Sequence, residues 1–381
     1  MKFWGMMVVT AAVSGCGDNG VEPILNPVRD SYGTFEKVEI PGTVCGNNSQ
    51  YKIWVNYSNK SDNLVVVLEP GGACWDYDSC TGANGIRGAA NPDGLPDNHW
   101  ELAPFISPFL NRSDETNPSI DWNTVYVPYC TGDVHTGNVV ATYAADTGSD
   151  QVEFHHEGHN DMMAVTQWID ANFTHVPKML VTGCSAGGVG SLVNYQFLRK
   201  GVHAVKQGYL LDDSGPIFPS SGYSGPMHAK IRSAWNLDSL TPEMPANFTL
   251  DDMGTINTAI ADEFPDDRLA TTFFRRDYNF SLYSYERFYN FPPKAQIMDM
   301  WNSDTNLLTD LYDTKKNLFY FIPYWRNINS SHCTTVLNFA GSDIEDHDMT
   351  LAQWVSDLVN DRPLTSMSEA PVPGEDPDPT N

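Results

Sequence analysis

Short runs of apolar, β-prone residues recur along the chain and alternate with segments whose apolar positions follow helical spacing. The first pattern predicts strands at residues 51–55, 64–68, 124–127, 179–181, 209–211, 269–274 and 319–322. The second predicts helices that include residues 161–173, 189–200 and 349–358. Strands that alternate with helices build a mostly parallel sheet with helices on both faces, and the functional loops lie at the carboxyl ends of the strands. We therefore predict a three-layer α/β fold in a single domain.

The N-terminus departs from this alternating pattern. A short apolar segment leads to Val13-Ser14-Gly15-Cys16, which has the small-residue form of a bacterial lipoprotein cleavage site. We predict that residues 1–15 are a lipoprotein signal peptide and that Cys16 becomes the lipidated first residue. Residues 16–36 contain Asn, Pro and Gly with little apolar periodicity, and they are predicted to form a tether.

These features predict a protein that is exported and lipid-anchored in the bacterial cell envelope, in the periplasm or at the cell surface. The anchor would be its only contact with a membrane. An ordinary secretory signal with an incidental cysteine is the alternative. Residues 37–361 would form the folded domain, and the acidic, proline-rich residues 362–381 would form a disordered tail.

The charge balance narrows the class of partner. Lys and Arg number 22 against 48 Asp and Glu, which gives a formal net charge of −26. Such a charge repels nucleic acids and anionic lipid surfaces, so nucleic-acid binding is excluded. It also disfavours a heavily ionised substrate, and a neutral or esterified ligand fits better.

The most specific pattern is a serine flanked by glycines at the end of an apolar run. Residues 178–188 end in Gly183-Cys184-Ser185-Ala186-Gly187-Gly188, and a helical pattern follows at once. This is the form of a nucleophile elbow, in which a strand turns sharply into a helix and holds the serine outward. Glycines flank the serine because a Cβ would collide where strand and helix cross. Ser185 is therefore the candidate nucleophile, and a glycine-rich structural turn is the alternative.

A serine hydroxyl is a weak nucleophile and needs a base. In α/β hydrolases the serine, acid and histidine follow in that order along the chain. His332 follows the predicted strand at 319–322 and a polar loop, so it is the candidate base. His347 is the alternative, but it lies among carboxylates that would favour the imidazolium ion and hinder a neutral base.

The base in turn needs a carboxylate that orients it. Asp277 follows the end of the predicted strand at 269–274 and is the candidate acid. The rival is Asp212-Asp213, which ends the strand at 209–211 and continues into Ser214-Gly215-Pro216. We prefer a turn or capping role for that rival pair.

A second glycine-rich turn follows the strand at 64–68. Its adjacent residues Gly71 and Gly72 carry amides that can face a ligand without steric obstruction, as an oxyanion hole requires. We predict an oxyanion hole formed by Gly72, Gly71 and the amide of Ala186. A structural glycine turn is the alternative. Trp75 is predicted to line the substrate pocket.

Six of the seven cysteines follow Cys16, and an even set in an exported chain indicates disulfides. We predict the pair Cys74–Cys80, which closes a small loop, and the pair Cys45–Cys130, which borders two predicted strands. Cys184 and Cys333 lie beside the candidate nucleophile and base, and the sequence leaves their pairing open.

A histidine-rich segment at His155–His159 invites a metal site. However, Asn160 stands where a helical zinc site needs its second ligand. We predict a helix start with solvated histidines there. The acidic run at 375–378 lies in the predicted tail, where no framework would hold its carboxylates around a cation. No metal site is therefore predicted.

Several of these blocks together resemble a known family. They are LEPGGAC (68–74), YCTGD (129–133), GCSAGG (183–188) and SHC (331–333). They are similar to successive blocks of the pectin acetylesterase and Notum family of serine carboxylesterases, over residues 45–358. The resemblance implies an α/β-hydrolase fold and ester hydrolysis through a Ser-Asp-His triad.

Ser185 and His332 match the motifs of this family. The acid segment Asp277-Tyr278-Asn279-Phe280 departs from the Asp-x-Trp-Gln form found in plant members, and Gly72-Ala73 lacks the tryptophan usual in that loop. These two departures leave room for a different pocket shape and a different substrate.

The combined expectation is a monomeric serine carboxylesterase that removes acetyl or other short acyl groups from a carbohydrate. Ser185 would attack the ester carbonyl, His332 would take and return the proton, and Asp277 would orient the imidazole, without a cofactor. Two alternatives stay open: a Notum-like deacylase of a lipidated protein or lipid ester, and a non-catalytic surface lipoprotein that binds carbohydrate. A large apolar cavity beside Ser185 would favour lipid, and a shallow aromatic cleft would favour sugar.

The predicted lipoprotein site can be tested by one substitution. In Cys16→Ser no thiol remains for lipidation, so fatty-acid labelling is expected to be lost and the protein to be released or mislocalised. The mass of the N-terminal peptide from wild type and mutant measures this directly. A mutant peptide that still carries the lipid would contradict the prediction.

Overall fold

The structure is a computed structural model that describes residues 24–146, 148, 150–327, 329–336, 338–344 and 349–371. The predicted signal peptide, the candidate lipidation residue Cys16 and the alternative base His347 lie outside the described residues. In the part of the chain that is described, no helix combines the length and the apolar character needed to cross a bilayer.

The strands and helices alternate along most of the chain. The strands are β1 (Phe35–Val44), β2 (Gln50–Asn56), β3 (Leu64–Leu68), β4 (Asn123–Val127), β5 (Val139–Ala144), β6 (Gln151–His156), β7 (Val176–Cys184), β8 (Val205–Asp213), β9 (Arg268–Thr272), β10 (Leu318–Ile322) and β11 (Met367–Ser368). The helices are α1 (Tyr77–Thr81), α2 (Ala103–Ile106), α3 (Gly158–Asn172), α4 (Ala186–Gly201), α5 (Gly225–Ala234), α6 (Thr255–Glu263), α7 (Tyr278–Tyr285), α8 (Lys294–Tyr312) and α9 (Leu351–Val359).

Nine of these strands form one sheet in the order β1-β2-β4-β3-β7-β8-β9-β10-β11. The pairs β1/β2 and β2/β4 are antiparallel, and every pair from β4/β3 to β10/β11 is parallel. Strands β5 and β6 form a separate antiparallel hairpin. The prediction of a mostly parallel central sheet is therefore confirmed.

The central strands are buried on both faces, as parallel strands under two helical layers require. Along β3, Leu64, Val66 and Leu68 pack into one apolar cluster with residues of α3, α4, α6 and α8. The alternate residues Val65 and Val67 pack on the opposite face with residues of α9 and of the segment around α2. This alternation produces the three-layer architecture.

The described part of the predicted tether 16–36 is bound to the folded body, so that part of the prediction is wrong. The Asp62 carboxylate accepts hydrogen bonds from the backbone N–H groups of Leu25 and Asn26. The Arg29 guanidinium lies 4.3 Å from the centre of the Tyr57 ring. These attachments join residues far apart in sequence, and the polar composition of the segment gives no sign of them.

The predicted boundary of the disordered tail, residues 362–381, is also too early in the chain. Strand β11 extends the sheet by pairing in parallel with β10. The buried carboxylate of Glu369 then forms an ion pair with Arg326 at 2.8 Å. A two-residue strand carries no periodic pattern, and its order comes from the sheet edge that it joins.

The histidines of His155–His159 are not solvated, which corrects that expectation. His156 ends β6 with its Nδ1 2.9 Å from the Thr131 carbonyl oxygen and its Nε2 2.9 Å from the Tyr143 hydroxyl. Burial lowers the pKa of His156 to about 4, so the ring is neutral at neutral pH. Its two hydrogen bonds connect β6 with β5 and with the loop after β4.

Candidate active site

Ser185 lies at the sharp turn between β7 and α4. Its φ of +56° falls in the left-handed region, where a residue with a Cβ is strained. A Cβ on Gly187 would lie 2.1 Å from the Leu68 carbonyl oxygen, and one on Gly183 would lie 2.5 Å from the Gly187 carbonyl oxygen. Both positions require glycine because strand and helix cross at this distance. The structure therefore has the geometry of a nucleophile elbow.

Asp277 and His332 are brought together from separate loops. The His332 Nδ1–H group donates to Asp277 Oδ2 at 2.8 Å. The other carboxylate oxygen, Oδ1, accepts from the backbone N–H groups of Asn279 at 2.9 Å and Phe280 at 2.8 Å, where Asp277 caps α7. Both oxygens of the buried carboxylate are thus engaged, and His332 Nε2 is the nitrogen left to act as a base.

The surroundings of His332 determine its protonation. Burial by itself lowers the pKa of the imidazole, but the charge and hydrogen bond of Asp277, together with the charge of Asp213, more than offset it. The pKa of His332 therefore lies above the usual 6.5. The neutral His332 ring is therefore a stronger base than a free histidine, and as the pH falls it becomes protonated at a higher pH than a free histidine does.

A disulfide joins the two loops that carry the candidate nucleophile and base. Cys184, which precedes Ser185, is bonded to Cys333, which follows His332. A ring nitrogen of His332 lies within 4.8 Å of both sulfur atoms. The hydrogen bonds of the described residues do not include one from Ser185 to His332, and such bonds are often long or misaligned without substrate. The pairing that the sequence left open thus tethers the base loop to the elbow.

The structure assigns the rival Asp213 a supporting position rather than contact with the base. Its Oδ1 accepts from the Thr334 N–H at 2.9 Å, and its Oδ2 accepts from the Thr335 N–H at 2.8 Å. The hydroxyls of both threonines donate to the same carboxylate. Asp213 therefore anchors the segment directly after His332 to the end of β8. Sequence reasoning expected only a local turn because these bonds span more than a hundred residues.

Of the three residues predicted to form the oxyanion hole, the structure supports two. Gly72, with a φ of +69°, lines a cavity together with Ala73, Ser185 and Ala186. Within the described chain the amides of Gly72 and Ala73 have no hydrogen-bond partner, and the Ala186 amide opens α4, where helix N–H groups are unpaired. Gly71 lies outside the lining, and a Cβ there would meet Tyr129. Gly72 and Ala186 thus remain the better candidates.

The cavity beside Ser185 is apolar and encloses about 610 Å³ of empty space, part of it open to solvent. Trp75 lines it as predicted from the sequence, and its ring lies 5.8 Å from that of Phe288. A second apolar cavity of about 500 Å³ adjoins the first. The two share six lining residues, namely Val134, Val189, Ile217, Ile231, Trp235 and Met253. The same apolar side chains therefore line both cavities.

Sequence reasoning did not identify most of the cavity wall. Its residues come from the loop after β4, the loop after β8, the segment before α6 and the helices α4, α5 and α7. Each contributes one or two apolar side chains, so no single segment shows a recognisable pattern. The spacing of Met227 and Ile231 along one face of α5, with Trp235 four residues further on at the end of the helix, was the available signal.

The remaining cysteines are paired as Cys45–Cys130 and Cys74–Cys80. The second disulfide fixes the loop that carries Trp75, because Cys74 directly precedes it. The Cys74 carbonyl oxygen also accepts a hydrogen bond of 2.8 Å from Trp235 Nε1 across the cavity wall.

The chain is similar in sequence to a known protein family. The family model for Pectinacetylesterase matches residues 34–261. The chain is 25% identical over 175 residues to palmitoleoyl-protein carboxylesterase NOTUM of Schmidtea mediterranea, covering 44% of this chain and 31% of that protein. It is 25% identical over 168 residues to pectin acetylesterase 4 of Arabidopsis thaliana, covering 43% and 38%. The chain thus spans about a third of the length of these curated relatives.

A solved structure supports the fold. The crystal structure of the Wnt deacylase Notum from Drosophila superposes with a TM-score of 0.56, and 17% of the residues are identical. The match covers 88% of this chain and 97% of that chain. The α/β-hydrolase fold implied by the sequence resemblance is thereby confirmed.

The acid assignment predicts a distinctive pH profile. Because His332 must be neutral to accept a proton, kcat/KM for an ester should fall as the pH drops through its raised pKa, above 6.5. In Asp277→Asn, kcat should fall by about 10⁴. The residual kcat/KM of this variant should start to fall only at a lower pH than that of wild type, because the carboxylate that raises the pKa of His332 is gone. Asp213→Asn should lower Tm with a smaller loss of kcat. A loss of about 10⁴ in Asp213→Asn, with Asp277→Asn near wild type, would contradict the assignment.

Removing the disulfide at the elbow is expected to lower activity by more than the loss of stability explains. The double variant Cys184→Ala/Cys333→Ala should lower kcat by about 10², since small misplacements of catalytic groups are costly. The matched control is Cys45→Ala/Cys130→Ala, which opens another long loop and should lower Tm similarly. Both are measured well below Tm. Equal kcat values in the two double variants would show that the elbow disulfide does not position the base.

Proposed function

The chain belongs to the pectinacetylesterase family, and from this premise we propose that it is a serine carboxylesterase whose acyl group lies in the apolar cavity beside Ser185. Ser185 is the nucleophile, His332 the general base and acid, and Asp277 the group that orients His332. The relatives it matches are named both as pectin acetylesterases and as palmitoleoyl-protein carboxylesterases. The family therefore supports ester hydrolysis without identifying the acyl group.

The proposed reaction has two halves. Ser185 Oγ attacks the ester carbonyl carbon while its proton passes to His332 Nε2, and the amides of Gly72 and Ala186 stabilise the oxyanion. The leaving alcohol takes that proton as the tetrahedral intermediate collapses to an acyl-enzyme. Water then attacks the acyl carbon with His332 again as base, and the carboxylic acid leaves. The hydrogen bond from His332 to Asp277 stabilises the imidazolium formed in each half.

The observation that carries the choice of acyl group is the apolar lining. An acetyl group offers one methyl, which would leave most of the apolar side chains of the lining without a contact. Each methylene moved from water into such a cavity contributes about 0.8 kcal/mol. The cavity therefore favours a medium or long acyl chain over the acetyl group that sequence reasoning preferred, and it supports the lipid-ester alternative.

The non-catalytic alternative is less well supported. A surface lipoprotein that only bound carbohydrate would have no use for a buried Asp277–His332 hydrogen bond beside a strained serine. Its binding cleft would be expected to be open and aromatic, whereas this cavity is apolar and recessed. Export remains part of the proposal, and it is supported by three disulfides in the described chain.

A panel of p-nitrophenyl esters from acetyl to palmitoyl tests the proposal. We expect kcat/KM to rise by roughly threefold to fourfold per methylene until the chain fills the cavity, as the hydrophobic increment requires. Ser185→Ala should reduce turnover by about 10⁶, while Ser239→Ala, which lies outside the cavity lining, should not. A wild-type enzyme that is fastest on acetate and slows with each methylene would contradict the assignment of the cavity.

A serine-directed fluorophosphonate separates the two parts of the proposal. It should label wild type on the peptide that contains Ser185 and leave Ser185→Ala unlabelled. Wild-type protein that is neither labelled nor active on any ester would instead favour the non-catalytic alternative.

A further inference from the structure

A buried histidine lies in the wall of the proposed acyl cavity and has no role in the mechanism. Helix α5 presents Met227, His228 and Ile231 to this cavity. Most of α5 is exposed or half-buried, and His228 is its one buried residue, with 4% of its surface exposed. A polar ring at the buried position of a surface helix needs an explanation, because apolar residues fill such positions at lower cost.

The hydrogen bonds around His228 assign its tautomer. Its Nδ1 lies 3.2 Å from Ser220 Oγ. The same hydroxyl oxygen accepts a hydrogen bond of 3.1 Å from the Met253 N–H. Among the described residues the Ser220 hydroxyl has no other hydrogen-bond acceptor, so we assign its proton to the bond with Nδ1 and the ring proton to Nε2.

The charge state of His228 follows from burial. Burial lowers the pKa of His228 to about 4, although the nearby Asp252 carboxylate acts in the opposite direction. The ring is therefore neutral at neutral pH. It presents one N–H donor and carries no charge that an acyl chain would have to approach.

The backbone amides of Gly72 and Ala73 face the candidate oxyanion hole, and the other polar side chains of the cavity wall are already engaged. The Tyr283 hydroxyl donates to the Gly88 carbonyl oxygen at 2.7 Å, and Trp235 Nε1 donates to the Cys74 carbonyl oxygen at 2.8 Å. Ser185 is the candidate nucleophile. For His228 Nε2, no hydrogen-bond partner exists among the residues that the structure describes. An unused donor therefore remains in a lining that is otherwise apolar.

We propose that His228 is a specificity-determining residue that selects acyl chains carrying an acceptor oxygen, such as a hydroxyl or ether oxygen, within the apolar cavity. This inference rests on the proposed function, since the acyl chain must enter the cavity. A plain hydrocarbon chain would displace water from Nε2 and leave the N–H unpaired, which is costly. A chain with an oxygen at the right position restores that hydrogen bond, and sites built in this way discriminate strongly against the analogue that lacks the polar group.

The test uses chains of equal length that differ by one atom. p-Nitrophenyl octanoate is compared with its analogues in which one chain methylene is replaced by an ether oxygen, at successive positions. Each kcat/KM ratio is divided by the corresponding ratio for alkaline hydrolysis, which removes the effect of the oxygen on ester reactivity. For wild type we expect one position to be preferred over octanoate by about tenfold or more.

Two variants and a control assign this preference to His228. His228→Phe removes the donor and should abolish the preference, while His228→Gln keeps a side-chain N–H and should retain part of it. Met227→Leu changes the adjacent lining residue without changing polarity, so its ratios should match those of wild type. Fluorophosphonate labelling of each variant verifies that the site is folded.

The outcomes distinguish this inference from the proposed function. Turnover of octanoate by wild type without a preferred ether position would overturn the role of His228 and leave the esterase proposal standing. A preference that persists in His228→Phe would do the same. Wild type that hydrolyses neither octanoate nor any analogue would overturn both.

Discussion

The parallel alignment of β7, β8 and β9 is the constraint on which the site depends. In this register Cys184 pairs with Asp213, and Asp213 pairs with Thr272, so the three strands end side by side. The last residue of β8 is the anchor Asp213, and the residues that follow β7 and β9 supply Ser185 and, a few residues later, Asp277. Parallel strands place their carboxyl ends at one edge of the sheet, so chemistry from distant parts of the sequence converges there. A shift of one residue between these strands would turn every side chain to the other face.

The base comes from a loop that the sheet does not hold directly. His332 follows β10 in a segment where Ser331 and Cys333 both have positive φ values, a conformation that needs support from outside. Three attachments supply it: the disulfide to Cys184, the hydrogen bonds from Thr334 and Thr335 to Asp213, and the hydrogen bond from His332 to Asp277. Each one joins the loop to an element that also positions the nucleophile or the acid. The geometry of the site is therefore fixed by cross-links within the site.

The features that could be predicted from the sequence are those that a short stretch of residues specifies by itself. The elbow at Ser185, the strands from β2 to β10 in the main sheet and the candidates Asp277 and His332 all stand in short, ordered patterns at strand ends. The supporting role of Asp213 and the wall of the cavity could not be read in the same way, since their contacts join segments far apart along the chain. The ordered ends of the domain were missed for a related reason, because Asp62 and Arg326 hold them through polar contacts with residues far away in the sequence. The composition of a segment indicates how favourably it interacts with water. It does not indicate which distant residue the segment contacts.

The central claim is that Ser185 forms an acyl-enzyme whose chain lies in the apolar cavity. The most direct measurement is a crystal structure of the protein inactivated by p-nitrophenyl octylphosphonate, whose phosphorus mimics the tetrahedral acyl carbon. The account predicts a bond from phosphorus to Ser185 Oγ, a phosphoryl oxygen held by the amides of Gly72 and Ala186, and the octyl chain packed between Val134 and Ile231. Phosphorus bonded to another residue, or an octyl chain that lies in solvent outside the cavity, would contradict it.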